Sequence, residues 1–199
     1  MQVEKPRRSQ AERRAETKAA LMNAARSLFV QKGYAETGTP ELVKEANVTR
    51  GALYHHFSDK ADILRAVIHA ESQAVADEIS AKTDPGQAPP DAFMHGAKAY
   101  FTAMKTPGRA HLLLLEGPNV LGLEEMAEID RQTGQGTLID GLQHAAAHGQ
   151  LPAGISIDAL ADLLSALFDR AALAIASGAD EGAYVTATQT LLTGVLKPT

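Results

Sequence analysis

The side chains with the most to offer chemically cluster between Thr39 and Lys60 of this 199-residue chain. Thr39, Thr49, Arg50, Tyr54, His55 and Lys60 supply hydroxyl, guanidinium, phenol, imidazole and ammonium groups, donors suited to phosphate oxygens and to the edges of bases. Gly51 and Ala52, among them, carry almost no side chain. Stepping about 100° per residue along a helix from Leu53 puts Arg50 and Phe57 on its side, Gly51 and His55 opposite, and Ala52 and Tyr54 on the flanks. The outward face is small at one end and polar at the other, so a helix can approach a surface closely and bond to it. Tyr54 and Lys60 suit phosphate, while Thr39, Thr49, Arg50 and His55 suit the major groove or its rim. Arg50 keeps a second reading, because the side it shares with Leu53 also permits pairing with an acidic neighbour.

Two short helices must hold that face. Residues 38–57 read as helix, turn, helix: Pro40 suits a first helical turn, Gly38 or Thr39 is its cap, and Leu42, Val43 and Ala46 recur one turn apart. Asn47 ends the first helix, since asparagine tolerates a left-handed backbone better than most residues. Val48 fills the angle between the helices, and Thr49 caps the second. The same shape occurs in proteins that touch no nucleic acid, so geometry alone leaves a solvated helical hairpin open.

The run Val48-Thr49-Arg50-Gly51-Ala52-Leu53-Tyr54-His55-His56-Phe57, continued by Ser58-Asp59-Lys60-Ala61-Asp62-Ile63-Leu64, resembles the signature of the TetR-type transcriptional regulators. The similarity covers about residues 15 to 75. It implies a DNA-binding head in which a first helix braces the hairpin from behind and Lys60 sits beside the duplex backbone. A weaker resemblance lies in Gly117-Pro118-Asn119-Val120-Leu121-Gly122 followed by Glu128-Ile129-Asp130, a segment found in one branch of the same family. There an aromatic residue commonly follows the second glycine and another stands further on; Leu123 and Met126 take those places here, which leaves ligand preference open.

Charge agrees with a two-part chain. The total is −5, but residues 1–66 hold 12 Lys/Arg against 8 Asp/Glu, a balance of +4, whereas residues 67–199 hold 7 against 16, a balance of −9. A DNA-facing end and an acidic body that repels the duplex account for this, as does ordinary surface variation. No uninterrupted apolar run reaches the roughly 18 residues of a membrane span. Met1 is followed by a charged segment without the apolar stretch of a signal peptide, and the absence of cysteine excludes disulfides and thiolate metal sites. A cytoplasmic protein with no membrane partner is the expectation.

In chain order, residues 1–14 form a basic arm with Lys5, Arg7, Arg8, Arg13 and Arg14, which either tracks phosphates and a minor groove or only solubilises the terminus. Ser9-Gln10-Ala11-Glu12 is a capping box for a first helix with Leu21, Ala24, Ala25, Leu28 and Phe29 at helical spacing and Gly33 as its stop. Ser58 or Asp59 caps a long helix to about Ala81, striped by Ile63, Leu64, Val67, Ile68, Val75 and Ile79. Lys60 in its first turn opposes the helix dipole, which makes sense if a phosphate lies there. Residues 83–90 are the one clear Pro/Gly-rich break and the expected flexible connection. Beyond it, Phe93, Ala97, Tyr100, Phe101 and Met104 pattern a helix closed by Thr106-Pro107-Gly108, and the leucines at 112–115 demand burial on more than one side before Gly117-Pro118 breaks them. A long helix follows from about Leu123 to His148, loosened by Gly134, Gly136 and Gly141 and capped by Gly149. Ser156 caps a penultimate helix through Leu160, Leu164 and Phe168, and a last one carries Tyr184, Thr188, Leu192 and Leu196. No segment alternates like a strand.

Seven histidines raise the question of metal or catalysis. His55 and His56 point about 100° apart, a poor arrangement for one ion, and His144 with His148 lacks an evident third ligand. HExxH, GxSxG, GxGxxG and phosphate-loop patterns are absent, so the expectation is no catalytic residue, no metal and no cofactor. His95, Tyr100, Phe101, Met104, Arg109, His111, Met126, Asp130, Phe168 and Asp169 are the candidates to line a cavity between the later helices, with His95, His111 and Asp130 as polar contacts and core packing as the competing role of each apolar one.

The expected fold is all-α with about nine helices: a DNA-binding head over 15–75 and a larger ligand-binding and dimerisation domain over 76–199. The expected function is sequence-specific DNA binding by a homodimer on a palindromic operator, most simply as a repressor released by a mostly apolar small molecule. A DNA-binding or architectural protein gated by a protein partner is the alternative, and an all-α enzyme that kept the shape is the third.

Overall fold

The computed structural model describes residues 9–82, 89–133 and 135–196, so Lys5, Arg7 and Arg8 of the basic arm, residues 83–88 of the expected 83–90 break and Gly134 lie outside it, while Pro89 and Pro90 of that break open a helix. Among the described residues every regular element is helical. They are α1 (Gln10–Glu36), α2 (Thr39–Glu45), α3 (Arg50–His56), α4 (Lys60–Ser80), α5 (Pro89–Met104), α6 (Arg109–His111), a π-helical turn (Leu112–Glu116), α7 (Gly117–Leu121), α8 (Leu123–Thr133), α9 (Gln135–Ala147), α10 (Ile157–Ala176) and α11 (Glu181–Val195). Because α6, the π turn and α7 run on without leaving helical backbone angles, these make ten helical segments where the pattern indicated about nine.

Contacts divide the chain into two compact units, residues 1–67 and 68–199, with the division inside α4. In the first, α1 packs on both α2 and α3. Leu21, Ala25, Leu28 and Phe29 of α1 are buried together with Leu42, Leu53, Phe57, Ile63 and Leu64, and each large member contributes about 1.5 to 3 kcal/mol by leaving water. The Ser9 capping box starts α1, with Ser9 Oγ accepting from Glu12 N–H at 3.1 Å and Ser9 N–H donating to the Glu12 carboxylate at 2.7 Å. At Gly33 the backbone turns to φ 83°, open to glycine and costly for others, and the straight run of α1 ends. Asp59 caps α4, accepting from Asp62 N–H at 2.8 Å, while Asp62 accepts from Ser58 N–H at 2.9 Å.

In the second unit α10 packs on α5, α9 and α11, and α5 also packs on α9 and α11. Phe93, Leu142, Ala145, Leu151, Leu160, Ala161, Leu164, Leu192 and Leu196 form the core of this bundle. One buried ionic cluster joins three elements: Arg109 donates to Glu71 at 2.7 Å, to Glu78 at 2.9 Å and to the Ala103 carbonyl at 2.8 Å.

The expected break at Gly117-Pro118 is not there. Gly117 has helical angles and its N–H reaches back five residues to Leu112, a wider π register that accommodates a proline lacking a donor at the next position. The chain turns instead at Gly122, φ 86°. Nor are all four leucines enclosed: Leu112 and Leu113 are buried, whereas Leu115 is exposed.

Candidate nucleic-acid interface and effector cavity

The hairpin is set by local bonds. After α2, Asn47 takes φ 52°, the one positive φ of a non-glycine residue among those described. Asn47 N–H then bonds to the Lys44 carbonyl and Val48 N–H to the Val43 carbonyl, the paired closure that satisfies a helix end and turns the chain sharply. Thr49 Oγ1 accepts from Ala52 N–H at 3.1 Å and begins α3. One of the two acceptor sites of its hydroxyl serves the cap, leaving the other and the hydroxyl hydrogen for a further bond. Thr39 opens α2 after Gly38 and is half-buried.

Along α3, Leu53 is fully buried while Gly51, Tyr54 and His55 are exposed and Ala52 is half-buried. The Arg50 guanidinium lies 5.6 Å from the Tyr54 ring centroid and makes no ion pair among the described residues, so it stacks where an acidic partner was the alternative. Lys60 is committed inward: its ammonium donates to the Tyr34 carbonyl at 2.7 Å and the Thr37 carbonyl at 2.9 Å. That leaves one N–H of three.

Gly51, Ala52, His55 and His56 form one wall of an open groove of about 490 Å³ whose other wall is Arg13, Arg14 and Thr17 at the start of α1. Burial, and then the positive neighbours His55, Arg14 and Lys18, hold the His56 imidazole below its ordinary range. The local field therefore favours an anionic visitor. His56 and the convergence of Arg13 and Arg14 on α3 were not legible in the sequence, because nothing in a helical pattern says which turns of two separate helices meet.

The second unit encloses a half-open cavity of about 1100 Å³ between α4, α5, the π turn, α8, α9 and α10. Tyr100, Met126, Asp130 and Phe168 line it, as does Asp169. The other candidates stand elsewhere. Phe101 and Met104 lie on the packed side of α5, fully buried, with Phe101 edge-on to Phe168 at 6.4 Å. His95 is exposed, and His111, also exposed, stands 3.5 Å from a Glu116 carboxylate oxygen. Arg109 is spent on Glu71 and Glu78. Ser72, Val75 and Ile79 of α4 and Leu113, Leu114 and Pro118 complete much of the apolar wall.

In the cavity lining Tyr100 donates to Asp169 at 2.5 Å. Burial, helped by the Asp130 charge and opposed by the Tyr100 bond, raises the Asp169 carboxyl to about 6. Burial likewise raises Asp130 and, with Asp169 beside it, lifts the Tyr100 phenol well above its usual value. No group of three or more metal-ligating side chains occurs among the described residues, and none of their helices is long and apolar enough to cross a membrane.

Comparison with known proteins agrees with this arrangement. The family described as bacterial regulatory proteins, tetR family, matches residues 21–67, and the tetracyclin repressor-like C-terminal domain matches residues 90–198. The Transposon Tn10 TetC protein of Escherichia coli is 42% identical over 65 residues, 33% of this chain and 33% of that protein. The HTH-type transcriptional repressor BepR of Brucella suis biovar 1 is 44% identical over 62 residues, 31% of this chain and 29% of its own. The match thus spans about a third of these relatives. A TetR-family transcriptional regulator from Pectobacterium atrosepticum is similar throughout: its crystal structure superposes with a TM-score of 0.73 at 30% identity, covering 96% of this chain and 100% of that one. The chain belongs to the TetR family of bacterial regulatory proteins, as a transcriptional regulator with a helix-turn-helix DNA-binding head.

Proposed function

We propose that this regulator is a homodimeric repressor released from a palindromic operator by a small molecule bound in the second unit. The cavity of about 1100 Å³, apolar with a few convergent polar groups, is the observation that carries the ligand half of this reading. Binding of α3 in a major groove rests on its small, polar outward face beside Arg13 and Arg14. Tyr54 is assigned to phosphate, and Thr39, Thr49, Arg50 and His55 to base edges or the groove rim, with Gly51 and Ala52 permitting close approach.

One recognition helix reads few base pairs, so genome-scale specificity favours two half-sites and a two-fold dimer. Exposed Leu163 on α10 and Leu191 on α11, at 68% and 52% exposure, are the side chains such a dimer has reason to cover. Because α4 contributes residues to both units, a ligand that displaces its Ser72–Ile79 side changes the separation of two recognition helices that must meet half-sites about 34 to 36 Å apart.

The ligand must prefer the DNA-incompetent state, and a hundredfold preference is about 2.7 kcal/mol of coupling. The test is to select genomic fragments with the purified protein, then titrate candidate effectors with and without the recovered operator at fixed salt. Reciprocal weakening of ligand and operator supports the reading. Equal ligand affinity in both would end it and point to control by a partner protein.

A further inference from the structure

The effector cavity is largely apolar, yet its charged groups are nearly all of one sign. Asp130, Asp140, Asp162 and Asp169 line it, against Arg170 as the one Lys or Arg in the lining. Asp130, from α8, and Asp169, from α10, are close enough for the first to act on the second, and both act on Tyr100. Neither carboxyl has an ion pair among the described residues, and Arg170 is not among the charges that move Asp169. Arg170 steps about 100° round the helix from Asp169 and is exposed.

Two desolvated carboxyls that line one apolar cavity and act on each other are costly to ionise, and a guest of opposite charge removes that cost. A neutral guest leaves them repelling each other. An anion adds to the repulsion. A bare metal ion finds no third carboxylate or imidazole with them among the described residues. A bulky cation neutralises the pair while its hydrocarbon fills the apolar remainder, and the Phe168 ring offers a π face to the same charge.

We propose that the cavity takes a lipophilic organic cation, with its onium centre against Asp130 and Asp169 and its hydrocarbon against Ile79, Leu113, Phe168 and Leu173. This rests on the ligand-gated reading above and names the class of ligand. The test uses the full chain, calorimetric titration at neutral pH, and three aryl probes: tetraphenylphosphonium, its isosteric anion tetraphenylborate, and the smaller neutral triphenylphosphine oxide. The expected result is that the phosphonium binds at least about tenfold more tightly than either other probe, the scale of a modest charge pairing in a partly solvated site. In D130N/D169N, which keeps shape and hydrogen-bonding capacity, that preference should vanish while phosphine oxide affinity stays within about twofold. Equal binding of all three probes, no binding of the phosphonium, or an undiminished preference in the double variant would each overturn the inference. Release of operator by the phosphine oxide with no charge preference would leave gating standing and the cation wrong. Charge-selective binding that leaves the operator bound would do the reverse.

Discussion

The Lys60 ammonium stands 2.7 Å from the backbone oxygen of Tyr34 and 4.0 Å from the centroid of that residue's own ring. It also reaches the Thr37 carbonyl. The chain enters the helix-turn-helix at Thr37–Gly38 and leaves it at Phe57–Lys60, so one side chain ties entry to exit. Its positive charge sits on the last carbonyls of α1, where a cation is favoured.

Lys60→Ala is therefore expected to cost about 1 to 3 kcal/mol of stability through two lost charge-assisted bonds, and to weaken operator binding by disordering the hairpin. A lysine spent mainly on carbonyls contributes little counterion release, so the slope of log K against log salt should fall by less than about half of the 0.9 that a full phosphate contact supplies. A fall close to 0.9 with an unchanged melting temperature would return Lys60 to the phosphate role that the family resemblance implies.

Gly51 makes a complementary case. A Cβ built there meets only the Thr49 hydroxyl, at an ordinary 3.9 Å, so α3 has room for a larger side chain in the free protein. Gly51→Leu should raise the melting temperature slightly, since replacing a helical glycine is worth about 0.5 to 1 kcal/mol, and should lower operator affinity by holding α3 off the groove. Thermal melts together with fluorescence anisotropy on the operator check both signs. Unimpaired binding would mean that this face does not approach DNA.

What was legible in the sequence follows from range. Pro40, Asn47 and Thr49 act on backbone within a turn of themselves, and each did so as their residue types indicated. Ser9, Asp59 and Ser156 cap helices for the same reason. Which side of α5 faces a cavity is a different matter: Tyr100 and Phe101 are neighbours about 100° apart, both aromatic, and only the packing of α9, α10 and α11 on α5 decides that one lines the cavity while the other fills the core. The π register at Leu112–Glu116 has no local code either. It emerges where a leucine run, buried at Leu112 and Leu113 and exposed at Leu115, meets a proline that cannot donate.

Arg109 tests the cohesion of the second unit. It is 6% exposed, and Glu71, its 2.7 Å partner, is 9% exposed. Arg109→Ala takes the guanidinium from beside a buried carboxylate and should cost about 3 to 5 kcal/mol, whereas Arg109→Met with Glu71→Met should recover most of that loss by exchanging a pair of desolvated charges for packing. Urea unfolding of the three proteins measures it. A double variant no better than the single one would show that Glu78 or the Ala103 carbonyl is the partner that matters.

Asp169 joins stability to pH through a sign that can be worked out. Its carboxyl lies at about 6 against an ordinary 3.8, so the folded chain holds this proton more tightly than the unfolded one. The stabilising contribution is full below the ordinary value and is lost as pH rises through about 6, which leaves the folded state carrying a buried charge at neutral pH. Asn at this position can still accept from Tyr100 but has no charge to desolvate. Asp169→Asn is thus expected to stabilise the protein by about 1 to 3 kcal/mol at neutral pH, with the advantage shrinking toward zero as the wild-type carboxyl protonates in acid. All other titrating groups are shared, so the difference in melting temperature between the two proteins isolates Asp169 and its coupling to Asp130 and Tyr100. An advantage that did not change with pH would mean that packing, and not charge, separates the two. A variant gaining stability while losing its preference for tetraphenylphosphonium would show that the charge is kept for binding at the expense of the fold.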